Sequence, residues 1–191
     1  MRSLELVPYS VWKAIHKATP TLTPGILSIC LQFGFHPSCL KSSNGFVLPK
    51  SGKADYSTPR SFRVIVLLDT FSKILEKVVQ SRLSATAHLK GLVSVHQAGS
   101  LPGVSAEDAA TRLMHEIDAT HRSGLCATIG FFDTKGGFDN VSHPILLNCL
   151  NSLGTPSYLV SWSESFLSDR SLTPVYPGAP NLSVPVSVGV P

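Results

Sequence analysis

The chain has 191 residues, 43% hydrophobic and 15% charged, and its 16 Lys and Arg against 12 Asp and Glu give a net charge of +4. This is a globular composition that excludes a disordered or collagen-like chain, and its mild basic excess permits nucleic-acid binding without demonstrating it. The best apolar run, Ile26 to Phe35, is interrupted by Ser28 and Gln32 and is too short to cross a bilayer, and the N-terminus has Glu5 and no signal-peptide apolar region, so the expectation is an intracellular protein with no membrane partner.

A first helix is expected over residues 10–18, with Val11, Trp12 and Ile15 on one side, ended by Pro20. A second should start with Thr23 as N-cap and Pro24 at the first helical position, carry Leu27, Cys30 and Leu31, and close at Gly34. Residues 36–59 read as a polar, loop-dominated region with a short strand at 45–48 and the cations Lys50, Lys53 and Arg60 nearby. The β-branched and aliphatic run 64–68 predicts a buried strand. In the long helix after it, Phe71, Ile74, Leu75, Val78, Val79 and Leu83 recur at three- and four-residue steps, with Gly91 as its stop. Ser105 and Asp108 make a capping box for another helix, whose Leu113, Met114 and Ile117 should face the core before Gly124 ends it.

Residues 125–132 are largely apolar on both faces and predict a strand at a sheet centre, followed directly by Asp133. Ser142 should cap a helix carrying Leu146, Leu147, Leu150 and Leu153 up to Gly154; Thr155 and Pro156 begin the next, ending near Asp169. Residues 171–176 and 183–188 then read as two strands joined by a Pro-Gly-Ala-Pro-Asn turn, with Pro174 and Pro185 placing them at an edge. Cys30, Cys39, Cys126 and Cys149 lack metal-ligand spacing and are expected to be buried free thiols. The seven histidines are scattered, and His115 and His121 are not spaced as a ligand pair.

The chemistry-bearing segment is Phe131-Phe132-Asp133-Thr134-Lys135-Gly136-Gly137-Phe138-Asp139-Asn140-Val141. A carboxylate at the end of an apolar strand, a Gly-Gly turn that lets backbone approach closely, and an aromatic five residues on suit a hard cation with phosphate ligands. An aspartate in that place also serves as a turn or cap residue.

Residues 133–141 resemble motif A of the reverse transcriptases of non-LTR retrotransposons. Upstream, Val47-Leu48-Pro49-Lys50-Ser51-Gly52-Lys53 is similar to that family's Lys-Pro-Gly-Lys segment, residues 62–68 and 71–77 to its fingers strand and the helix behind it, and residues 96–100 and 105–109 to the next motif. Downstream, Trp162, residues 165–170 and Pro185-Val186-Ser187-Val188-Gly189-Val190-Pro191 follow the pattern, closest in flavour to elements from fungal genomes. The resemblance implies an α/β (α+β) fold: a helical extension over 1–46, fingers over 47–124 and a partial palm over 125–191. It implies an RNA-directed DNA polymerase acting on an RNA template, a DNA primer and dNTPs with Mg²⁺. Asp133 would be the catalytic, metal-binding aspartate, with the Thr134 carbonyl as a second ligand. Arg63, Lys53, Phe138, Gly136 and Gly137 would meet the nucleotide, and Gln97 and Lys73 the template. Phe138 would pack under the sugar and exclude a 2′-hydroxyl, although a core aromatic beside the sheet would look the same in sequence.

Departures accompany the match. Val64 replaces a proline of the family, and Ser100, Leu101 and Val104 stand where it has a Phe-Arg-Pro-Gly-Arg run, so two arginines are missing. After Gly189-Val190-Pro191 the family continues into Gln-Gly-Ser-Pro and paired aspartates, and this sequence stops. The expectation is a polymerase portion inactive by itself. The rivals are a decayed, non-catalytic copy that binds nucleic acid weakly, or an unrelated small α/β binding protein.

Overall fold

The computed structural model describes residues 7–176 and 182–190. The expected turn at 177–181 lies outside them, as do Glu5 and Pro191. Six α-helices and four strands follow in chain order among these residues: α1 (Tyr9–Ala18), α2 (Leu22–Gln32), β1 (Ser42–Pro49), β2 (Phe62–Leu67), α3 (Thr70–Leu89), α4 (Ala106–Arg122), α5 (His143–Ser152), α6 (Ser157–Leu167), β3 (Arg170–Val175) and β4 (Val184–Val186). The fold class is mixed α and β, as expected. The chain divides into two compact units, one of residues 1–83 and 136–191, the other of residues 84–135. Among the described residues, no helix is long and apolar enough to cross a membrane.

The first unit holds the whole sheet, in the order β2-β1-β3-β4. β1 pairs antiparallel with β2, from Asn44 opposite Leu67 to Pro49 opposite Phe62, and parallel with β3, from Ser42 opposite Ser171 to Phe46 opposite Val175. β1 is longer than its sequence suggests because it is paired on both sides, which overrides its weak propensity in Ser, Asn and Gly. β2 is an edge strand instead of a buried one, and Val64 and Ile65 are exposed on it. β3 is an interior strand instead of an edge. Pro174 is tolerated there because the β4 register ends at Leu172, so the missing N–H costs no ladder bond on that side.

The core lies between α2, α3 and α6, where Cys30, Leu31, Leu75, Val79, Leu159 and Trp162 form one buried cluster. Trp12 of α1 packs on Phe71 with ring centroids 4.6 Å apart. The α2 cap is Thr21 instead of Thr23; Thr23 is buried inside the helix. Gly34 permits the end of α2 to touch α6: a Cβ there would stand 2.5 Å from that of Ser161, and its φ is +58°. Of the four thiols only Cys30 is buried, and burial raises its pKa; Cys39, Cys126 and Cys149 are exposed.

The second unit departs further from expectation. α4 is capped as its sequence predicts: the Ser105 hydroxyl accepts from the Asp108 amide at 3.1 Å, and the Ser105 amide donates to the Asp108 carboxylate at 2.8 Å. Yet Leu113 and Met114 are exposed and α4 buries nothing. Residues 125–132 form no strand. An isolated strand has no internal hydrogen bonds to hold it, and every described ladder of the sheet joins β1–β4 only.

Candidate active site

The β1–β2 hairpin carries two exposed cations, Lys53 on its connecting loop, which is fixed by its own bonds, and Arg63 on β2 opposite Leu48. The Lys50 amide donates to Ser61 O at 2.8 Å, the Tyr56 hydroxyl to Lys50 O at 2.7 Å, and the Ser61 hydroxyl to Asp55 O. The amide and hydroxyl of Ser57 both donate to the Asp55 carboxylate and hold its pKa below the usual range. Lys50 Nζ is engaged with Arg60 O at 2.9 Å, so the hairpin presents Lys53 and Arg63 outward while Lys50 braces it. Lys73 is exposed on the first turn of α3. Gln97 belongs to the second unit, where its amide side chain donates to Gly99 O at 3.2 Å.

Asp133 and Thr134 are exposed on the stretch that forms no strand, at the end of the second unit. Gly136, Gly137 and Phe138 begin the returning part of the first. The structure brings these three together as one turn: Gly136 has φ +63° and its carbonyl accepts from the Asn140 amide at 3.0 Å. The turn is bound on its far side to residues 189–190. The Gly189 amide donates to Val141 O at 2.9 Å and the Val190 amide to Phe138 O at 3.1 Å. His143 Nε2 lies 2.7 Å from Gly189 O. The Phe138 ring remains 76% exposed.

Beside this turn is a cavity of about 240 Å³ lined by Val64, Val66, Asp139, Arg170, Leu172 and Val188, among others. Arg170 is buried. Its Nη1 donates to Phe166 O at 3.1 Å, its guanidinium lies 4.5 Å from the Phe166 ring centre, and its Nη2 has no hydrogen-bond partner. His36 is fully buried against Trp162 and Phe166. Burial first, then the positive charges of Arg170 and Lys41, push its pKa down to about 4. Its Nε2 faces the Ser72 hydroxyl at 3.4 Å, which in turn donates to Glu76 at 2.6 Å.

Sequence reasoning does not reach His36, His143, Arg170 or the bonds of Gly189, because their partners are remote in the chain. A lone glycine between valines is the one available signal, since such a residue marks close backbone approach. Among the described residues, no three His, Cys, Asp or Glu side chains converge as a metal-binding group.

A profile of the reverse transcriptase (RNA-dependent DNA polymerase) family matches residues 48–190. A 115 kDa protein in type-1 retrotransposable element R1DM of Drosophila melanogaster is 30% identical over 182 residues, which are 95% of this chain and 17% of that protein. Two further Drosophila melanogaster proteins each align over 146 residues, 76% of this chain and 16% of their own length. One, named "Probable RNA-directed DNA polymerase from transposon BS", is 30% identical; the corresponding protein from transposon X-element is 26% identical. The chain spans about a sixth of the length of these relatives.

Proposed function

Because the chain belongs to the reverse transcriptase (RNA-dependent DNA polymerase) family, we propose that it supplies the fingers and the first part of the palm of a non-LTR retrotransposon's RNA-directed DNA polymerase. Membership removes the reading as an unrelated small α/β protein. In this proposal residues 1–46 lead into the fingers, 47–124 form them and 125–191 begin the palm. RNA template, DNA primer and dNTP are the partners.

The observation that carries the nucleotide-site reading is Phe138. A core aromatic would be covered, whereas this ring is exposed on a turn whose backbone is hydrogen-bonded on both sides. Phe131 and Phe132 are also exposed, but on a stretch with no ladder to hold them. Phe138 would bound the nucleotide sugar and crowd out a 2′-hydroxyl. Gly136 and Gly137 would bring backbone close to the nucleotide. Arg63, with its planar fork, and Lys53 would meet triphosphate oxygens from the hairpin. Lys73 and Gln97 would lie along the template.

The Asp133 carboxylate and the Thr134 carbonyl are hard oxygen donors of the kind Mg²⁺ takes, and both residues are open to solvent. They fit one side of an ion's shell, which substrate phosphate oxygens complete in such sites. When bound, a pair of divalent ions stabilises the attacking and departing oxygens of an in-line displacement. One aspartate cannot hold two ions about 3.5–4 Å apart, so the 191-residue chain by itself is expected not to extend a primer. Primer extension on poly-rA with Mg²⁺ or Mn²⁺ tests this. Template-dependent extension by the chain that disappears in Asp133→Ala would overturn it. In the longer polymerase, Asp133→Ala should abolish extension, and retained activity would remove Asp133 from the site. A decayed copy would bind RNA yet remain inert in both settings. The finer placement among fungal elements rests on motif wording alone, and branching order among elements from many genomes is its test.

A further inference from the structure

The turn that carries Phe138 is bonded both within itself and to a remote segment. Within it, the Asn140 amide bonds Gly136 O at 3.0 Å, and the Val141 amide reaches Phe138 O only at 3.5 Å, a weak contact. What closes it is the segment 189–190, through the Gly189 and Val190 amides at 2.9 and 3.1 Å. Gly189 is buried, has φ +84°, and lies so close to the turn that a Cβ would stand 2.8 Å from Asp139 O. The acceptor side of this peptide is taken by His143. Gly189 O can only accept, so Nε2 of His143 carries the hydrogen of their 2.7 Å bond. His143 is the first residue of α5, and α5 packs on α6.

We propose that His143 is the positioning residue of the nucleotide site: it anchors Gly189 to α5 and thereby holds the Phe138 turn in place. This rests on the reading of Phe138 as the residue that meets the nucleotide sugar. The clasp has a donor and an acceptor at each end and one glycine at its centre. The exposed Phe138 ring owes its fixed position to backbone bonds and not to packing of its side chain. Loss of the His143 donor frees Gly189, and the turn moves with it.

Amide hydrogen exchange on the protein reads the clasp directly. His143→Leu is expected to speed exchange at Gly189 and Val190 by up to about tenfold, the size of one hydrogen bond's net contribution, while α6 keeps its protection. His143→Gln, which places an amide donor at similar reach, should restore most of it. Unchanged exchange at Gly189 and Val190, or acceleration spread equally through α6, overturns the inference.

Nucleotide selection by the longer polymerase gives the second reading. His143→Leu should narrow the preference for deoxyribonucleotide over ribonucleotide about tenfold, as misplacement of a site element by a fraction of an ångström does, and chiefly through KM. Phe138→Ala should narrow it further. If Phe138→Ala narrows it and His143→Leu does not, the positioning role fails while the reading of Phe138 stands. If Phe138→Ala leaves the preference intact, that reading fails and the inference with it.

Discussion

Residues 7–83, 136–176 and 182–190 keep a cluster of apolar side chains out of water; residues 84–135 keep none. In the first unit Leu75 and Leu159 have no exposure at all. In the second no residue is buried, and Leu89, Val95, Phe131 and Phe132 are between 82% and 98% exposed. α4 shows what survives such a difference. Its capping box and its backbone bonds are local, so the helix forms without a core beneath it. Residues 125–132, uncharged and far more apolar than α4, have no ladder partner and stay irregular. Helices, in this chain, tolerate the lack of a packing partner and strands do not.

The largest test of that contrast is truncation on either side of it. Leu159→Ala should destabilise the chain by about 3 kcal/mol, since it empties a filled site, whereas Leu113→Ala on α4 should cost about 0.5 kcal/mol or less. Denaturant titration followed by Trp fluorescence measures both, because Trp162 belongs to the core. Equal costs would mean that α4 is packed after all.

The next effect belongs to the core's one buried imidazole. The folded pKa of His36 is about 4, below the ordinary 6.5. The unfolded chain therefore binds the proton more readily between these values. Stability is full above about pH 6.5 and falls as pH drops toward 4, by at most about 3 kcal/mol, since each pKa unit is worth about 1.4 kcal/mol. The lowered pKa of Asp55 acts in a more acidic range, because its stabilisation is lost only below ordinary carboxylate values. His36→Phe should flatten the dependence between pH 4 and 6.5. An unchanged slope would show that other groups carry it.

A smaller change probes the second unit alone. Ser105→Ala removes the α4 cap and should loosen that helix by about 1 kcal/mol. Amide exchange within 106–122 should speed while the cluster around Leu159 stays protected. Acceleration throughout the chain would mean that the units share one cooperative core.

The smallest expected effect concerns nucleic acid. Lys53 and Arg63 stand on the fixed hairpin of the first unit, and Asp133 on the unladdered stretch of the second. Removal of one phosphate-binding cation should lower the salt slope for single-stranded RNA by about 0.7. Lys53→Ala with Arg63→Ala should therefore weaken and flatten binding, and Asp133→Ala should not weaken it. Fluorescence anisotropy across a salt series decides. Binding indifferent to the double variant but abolished by Asp133→Ala would move the RNA-binding surface to the other unit.

The fold is legible in sequence wherever its signal is local. Ser105 and Asp108 form their box, and Gly91 and Gly154 follow the ends of α3 and α5 at positive φ. The order of short motifs is enough to indicate the family that the profile match establishes. The candidate site is legible only as residue types: Asp133, Phe138 and Arg63 can be named, while the clasp around Phe138 and the burial of His36 and Arg170 cannot. The sequence by itself determined the helices, because their bonds join residues three or four apart, and the α4 cap, which lies within a turn. It misplaced the start of α2, whose cap is Thr21 instead of Thr23, and Ser142 begins α5 without the side-chain bond expected of it. Only the tertiary structure decided that β1 is central, that β3 runs parallel to it across some 128 residues, and that His143 reaches Gly189. Those bonds join groups with no sequence relation, and each exists only once the rest of the chain has brought its partner within reach.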